Sequence, residues 1–205
     1  MVSKKSENPL SARDQILDAV RRNRPPEVPL PDYAFGNAPA DDLISHFESV
    51  SKEIAGEVLY ATSTEVEALL LDRYGSAGRI VSTIPEIAFG NLPIQPETDP
   101  KKLHPLDIFL CRGEFGVVEN GAIWVAESSL VVRAAPFLAE HLIILLDQAQ
   151  IVATMHDAYN RLRIDEEKFG IFIAGPSKTG DIEHSMVVGA HGPRKHTVVL
   201  YSAQE

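Results

Sequence analysis

Residues 57–82 read EVLYATSTEVEALLLDRYGSAGRIVS, three textures in succession. The apolar run at 57–61 is short and bounded by turn-forming residues, which reads as a buried strand. Thr64 with Glu67 three residues on has the form of a capping box. It predicts a helix through about Tyr74, and Gly75 is placed to end it. Residues 79–82 make a second short apolar strand. Strand, helix and strand at this spacing predict an α/β domain with a largely parallel sheet.

Upstream, residues 41–54 carry Leu43, Ile44, Phe47 and Val50 on one helical face. Farther out, Ser11 is a suitable N-cap with Asp14 behind it. Ile16, Leu17 and Val20 share a face over residues 11–23, and Pro25 and Pro26 stop that helix. The stretch 24–40 adds Pro29, Pro31 and Pro39 and reads as an extended linker. Residues 1–40 are therefore expected to form a helical arm with its linker, and residues 41–205 the α/β domain. Whether the arm packs on that domain or on a partner stays open.

Downstream, the proline-rich stretch 83–105 is irregular. Strands are expected at 107–111, 115–118, 122–126, 142–146, 170–174, 186–188 and 197–201. Asn120-Gly121 between two of them signals a tight hairpin turn. Thr154 and Asp157 are spaced to cap a helix running to about Arg163.

Composition excludes several classes. The chain has 205 residues, 19 Lys+Arg against 29 Asp+Glu and a formal charge of −10, which argues against a nucleic-acid partner. Its one cysteine, Cys111, leaves no disulfide framework and no cysteine-ligated zinc or iron–sulfur site built from this chain alone. Cys111 lies in an apolar strand and reads as a small buried hydrophobe, as Ile123 and Trp124 read as core. The longest apolar runs are five residues, against the roughly 20 that span a bilayer, so no membrane partner is expected and the location is expected to be cytoplasmic.

Three segments carry candidate chemistry. GPSKTGDIE, residues 175–183, follows the strand at 170–174, and a loop leaving the carboxyl end of an α/β strand is a usual ligand site. Gly175 and Gly180 permit close approach of backbone, Ser177 and Thr179 supply hydroxyls, and Lys178 supplies charge. That set suits a small anion, a phosphate or carboxylate, although a capped turn explains the same residues. The ending Gly180-Asp181 departs from a P-loop. GAHGP, residues 189–193, is a constrained turn that holds His191 as a base, an anion donor or a structural residue. Glu119, on the turn before Asn120-Gly121, is a candidate general base or a solvated hairpin tip. His184, His191 and His196 with Asp181 and Glu183 have metal-ligand chemistry but match no zinc spacing. His184 and His196, flanking strands, are read as facing solvent, and no metal site is expected.

These three segments, in this order, resemble the lactate-utilisation (LUD) domain family and its stand-alone members. The matching features are the acid-x-Gly turn within 115–125, the Gly-Pro-Ser-Lys-Thr-x-Asp-Ile-Glu signature at 175–183 and the Gly-x-His-Gly-Pro turn at 189–193. The resemblance implies a Rossmann-like α/β fold, a sheet flanked by helices, similar to that of glucosamine-6-phosphate deaminase, ribose-5-phosphate isomerase and the CoA transferases. It also implies work beside iron–sulfur and cysteine-rich sister subunits that oxidise L-lactate to pyruvate, with the clusters in those partners and no cofactor in this chain. The site residues it implies are Gly175, Ser177, Lys178, Thr179, Gly180, Asp181, Glu183, His191 and Gly192, with Glu119 opposite. The family's Glu-Thr-Gly-Thr stands here as Glu119-Asn-Gly-Ala122, without the two hydroxyls. The alternatives are a free-standing enzyme acting on a sugar phosphate or CoA ester, and a non-catalytic assembly subunit.

Overall fold

The structure, a computed structural model, describes residues 11–29, 42–163, 168–180 and 186–202. Its internal contacts separate residues 1–36 from residues 37–205. The first unit holds α1 (Ala12–Arg22), started by Ser11, whose hydroxyl accepts the Asp14 N–H at 3.2 Å. No residue of α1 is buried. The cap and the Asp18–Arg22 pair at 2.6 Å support it locally.

The second unit runs α2 (Leu43–Glu53), β1 (Glu57–Thr62), α3 (Val66–Tyr74), β2 (Ile80–Ser82), β3 (Leu106–Arg112), β4 (Phe115–Val117) and β5 (Ala122–Ala126). Two four-residue helices follow, α4 (Glu127–Leu130) and α5 (Ala135–Leu138), then β6 (Ala139–Asp147), β7 (Ile151–Val152) and α6 (Met155–Arg161). The described chain finishes with β8 (Gly170–Ile173), β9 (Lys178–Thr179), β10 (Val187–Val188) and β11 (Lys195–Ser202). Among the described residues, no helix is long and apolar enough to cross a membrane.

Five strands form a parallel sheet in the order β1-β11-β6-β3-β2, as the strand–helix–strand texture predicts. Both faces are covered, which explains the unbroken apolar run in β6. Leu142, Ile144 and Leu146 join Phe47, Phe109, Val198 and Leu200 on one face. Ile143 and Leu145 alternate to the other, against Val66 and Leu70 of α3.

One local expectation fails at α3. Thr64 and Glu67 form no capping box there: the helix begins at Val66 behind Glu65, with no side-chain cap. The Glu65 carboxylate turns back to accept the Thr62 N–H and hydroxyl, and Glu67 accepts the Ala88 N–H at 2.9 Å. Thr154 and Asp157 do form their reciprocal box at the start of α6.

A second sheet, in the order β7-β4-β5-β8, is hydrogen-bonded separately and packs Ile123, Val125, Ile151 and Ile173 into the same core as Leu142, Ile144 and Leu146. Its β4–β5 hairpin turns at Asn120-Gly121, where Gly121 takes φ +66°. The strand before the 175–183 loop, β8, pairs antiparallel with β5 in this sheet. That corrects the expected placement: the loop does not leave a parallel strand. Trp124 explains the pairing. Its ring stacks with Phe115 and tilts against Phe172, and a Cβ at Gly170 would stand 2.1 Å from it. Only a glycine lets β8 come so close.

Candidate functional site

The two glycine-rich turns meet. The Ser177 N–H donates to the Pro193 carbonyl and the Gly189 N–H donates to the Ser177 carbonyl, both at 2.8 Å. β9 and β10 then pair antiparallel. A Cβ at Gly192 would lie 3.1 Å from the Ser177 Cβ, so this contact leaves little room for a side chain. Between the turns is a cavity of about 270 Å³. Gly175, Ser177, Lys178, His191 and Gly192 line it, with Phe137, Leu142 and Ile173 as apolar walls. Five of the expected site residues thus share one small cavity with one cation, one imidazole and a hydroxyl.

Lys178 has a second duty. Its ammonium donates to the carbonyl of Ile54, the C-cap of α2, where a cation complements the helix dipole. An ammonium carries three donors, which leaves two for a bound anion. Gly175 makes this arrangement possible: at φ +70°, a Cβ there would stand 2.6 Å from the same Ile54 carbonyl oxygen.

The other expected residues fall elsewhere. Thr179 pairs within β9, and no described residue apart from its chain neighbours comes within 4 Å of where a Gly180 Cβ would stand; neither lines the cavity. Asp181, Glu183 and His184 lie outside the described residues. Glu119 is also absent from the cavity walls: its carboxylate accepts the Met155 N–H at 2.7 Å, at the start of α6. Its turn nevertheless approaches the same helix end, since a Cβ at Gly121 would lie 2.8 Å from Ile54 Cδ1.

His196 does not face solvent. It is 3% exposed, within β11, and burial pushes its pKa down to about 4, aided by the nearby charges of His141 and Lys178. Strand alternation places it on the same face as Val198 and Leu200, a periodicity readable only once β11 is known to be covered on both sides. Burial raises the Cys111 thiol to about 12, so it stays protonated and unreactive. Among the described residues, no group of three or more His, Cys, Asp or Glu is arranged to hold a metal.

The crevice at the carboxyl ends of the parallel strands is a different one, of about 650 Å³. Ser63, Thr64 and Glu67 approach it from the α3 end, and Arg112 and Tyr201 from β3 and β11. Arg112 donates to the Tyr201 hydroxyl at 2.7 Å and pairs with Glu86. No short motif marks these residues in the sequence.

The family model described as LUD domain matches residues 44–201 of this chain. Lactate utilization protein C of Geobacillus thermodenitrificans is 28% identical over 228 aligned positions, covering 92% of this chain and 95% of that protein. Lactate utilization protein C of Shouchella clausii is 25% identical, covering 92% and 96%. The protein of that name from Anoxybacillus flavithermus reaches 37% identity over a shorter region, 46% of this chain and 43% of its own. Among solved structures, a DUF162 family protein from Deinococcus radiodurans superimposes with a TM-score of 0.62 at 16% identity, over 78% of this chain and 96% of that one. At that identity the likeness concerns the fold.

Proposed function

Because the chain belongs to the LUD domain family, we propose that it serves lactate utilisation as a cluster-free subunit that binds a small carboxylate anion between its two glycine-rich turns. The observation that carries this reading is the convergence of Lys178, His191 and Ser177 on one cavity of about 270 Å³ with apolar walls. That volume lies below the range of drug-sized sites and suits an anion of a few heavy atoms. In a chain of net charge −10, a carboxylate needs such a local cation. Lys178 holds the carboxylate, Ser177 donates a hydrogen bond, and the apolar walls take a methyl group.

Oxidation of L-lactate to pyruvate releases two electrons and two protons. His191, exposed at the mouth, is placed to accept one proton, and the other passes to solvent. The electrons need a redox group, and iron–sulfur clusters ligated by cysteine in partner subunits would supply it, since this chain's one cysteine is buried and protonated. A second reading, an enzyme acting on a sugar phosphate or CoA ester, is favoured by the larger carboxyl-end crevice.

The test is complementation of lactate-dependent growth in a strain lacking the native protein. Lys178→Met keeps the aliphatic stem and loses the charge; it also removes one bond to Ile54, at about 1 kcal/mol. Both Lys178→Met and His191→Ala are expected to slow growth on L-lactate by about tenfold or more while the purified variants stay folded. Wild-type growth from both would sink the anion site.

A further inference from the structure

We propose that the amino-terminal edge of the parallel sheet carries a separate site for a phosphate-bearing dianion, in the cleft between β1, β11 and the end of α3. This cleft, of about 450 Å³, shares no lining residue with the cavity between the glycine-rich turns. Arg73, Arg194, Lys195, His141 and His196 line it, with Glu57 as its one carboxylate among the described residues.

Charge is the first argument. Glu57 is fully engaged: it accepts from Arg73 at 3.0 Å, from the Tyr74 hydroxyl at 3.2 Å and from the Thr197 hydroxyl at 3.0 Å. Among the described residues, no carboxylate pairs with Arg194 or Lys195. Two cations with no ion-pair partner among the described residues therefore stand together in an acidic protein. A lone carboxylate would neutralise only one of them, whereas a phosphate group carries the matching charge and accepts the two-pronged bonds of a guanidinium. The adjoining part of the groove contains Asp107 and Glu140, so the anion belongs at the His196 end.

The second argument is His196. It is almost wholly buried and lines the cleft, yet neither ring nitrogen has a hydrogen-bond partner among the described residues. A neutral imidazole always has one N–H to give, and leaving it buried without an acceptor is unfavourable. A ligand oxygen in the cleft would satisfy it once the ring turns towards it, because both nitrogens are shielded from solvent as placed. Next to it, the ring of His141 is already oriented. The Thr197 hydroxyl spends its proton on Glu57 and so accepts from His141 Nε2 at 2.8 Å, which leaves Nδ1 as an acceptor. Burial first, and Lys195 second, hold His141 neutral.

The third argument is that Arg194 is positioned. Its N–H donates to the Glu140 carbonyl at 2.8 Å. Its stem lies where a side chain at residue 189 would be, a Cβ at Gly189 standing 2.2 Å from Arg194 Cγ. Gly189 thus seats this arginine, a role for that glycine beyond shaping its own turn.

The experiment is titration of the full chain at neutral pH with inorganic phosphate and, separately, with glycerol 3-phosphate, following histidine ring nitrogens by NMR and heat by calorimetry. A saturable shift of the His196 ring signals is expected with at least one probe. The tighter probe distinguishes a free ion from an ester. Replacing Arg194 and Lys195 together by Gln should weaken binding by about tenfold or more. Both are exposed, so folding should be kept, and a melting curve checks it. Lys178→Met should weaken this binding far less than the double replacement does, since its charge reaches His196 but its side chain lines the other cavity. The proposal is overturned by no saturable shift up to about 10 mM. Indifference to the double replacement, or loss of binding in Lys178→Met instead, would overturn it equally.

Discussion

Lowering the pH from 7 to 4 is expected to remove about 3 kcal/mol of folding stability through His196 alone. The sign follows from where the proton goes. In the unfolded chain an imidazole binds a proton below its ordinary 6.5, whereas in the folded protein burial holds His196 neutral down to about 4. Across that window the unfolded state binds more protons, so acid favours unfolding and stability rises with pH. His141, also lowered to about 4, acts in the same direction. Exposed carboxylates held below their ordinary range by hydrogen bonds, Glu48 and Glu65 among them, lose stabilisation as the pH falls through their lowered values. Comparison with His196→Leu separates these contributions. The variant removes the titrating ring and its two unpaired nitrogens, so its urea midpoint should drop less steeply between pH 7 and pH 4. Parallel profiles for variant and wild type would contradict the burial of His196.

Gly175→Ala is expected to destabilise the fold by about 3 kcal/mol. A left-handed backbone costs an L-residue roughly 1–2 kcal/mol, and forcing a methyl into a filled site costs about 1–3 more. Here both apply: φ is +70°, and the new Cβ would stand 2.6 Å from the Ile54 carbonyl oxygen and 3.3 Å from Lys178 Nζ. The methyl therefore also displaces the ammonium from the end of α2. Gly180→Ala is the matched comparison, since it meets nothing within 4 Å among the described residues, and it should change stability by less than about 0.5 kcal/mol. Equal unfolding midpoints for the two variants would refute the close approach at Gly175.

The features legible in the sequence are local ones. Ser11 as a cap, Asn120-Gly121 as a turn and Thr154 with Asp157 as a box each depend on residues a few positions apart. The parallel sheet was legible from one strand–helix–strand unit, because a connection of that length permits little else. Sheet membership was not legible. β8 pairs with β5 through Trp124, more than forty positions upstream, and an apolar strand looks the same in either sheet. The short helices α4 and α5 are single turns between strands, too brief for an apolar period to show. At the candidate site, the glycine-rich turns were visible as separate motifs. Their common support, Ile54, and the apolar walls Phe137 and Leu142 come from distant parts of the chain and carry no motif. His196 was misplaced because a histidine between Lys195 and Thr197 reads as polar surface until both neighbouring strands are in position.

The order β1-β11-β6-β3-β2 has a consequence for how the chain reaches its fold. The strand second from the edge is the last of the five in chain order, and it pairs with the first across 140 positions, Glu57 with Thr197. Until residues 195–202 have been synthesised, β1 has no partner on its inner side, and the edge of β6 that β11 will occupy stands open. The growing chain therefore presents an apolar strand edge for most of its synthesis, a situation that favours aggregation and slow, long-range closure. Completion of this sheet is a late insertion event, and losing a few residues from β11 would cost the pairing of two strands at once.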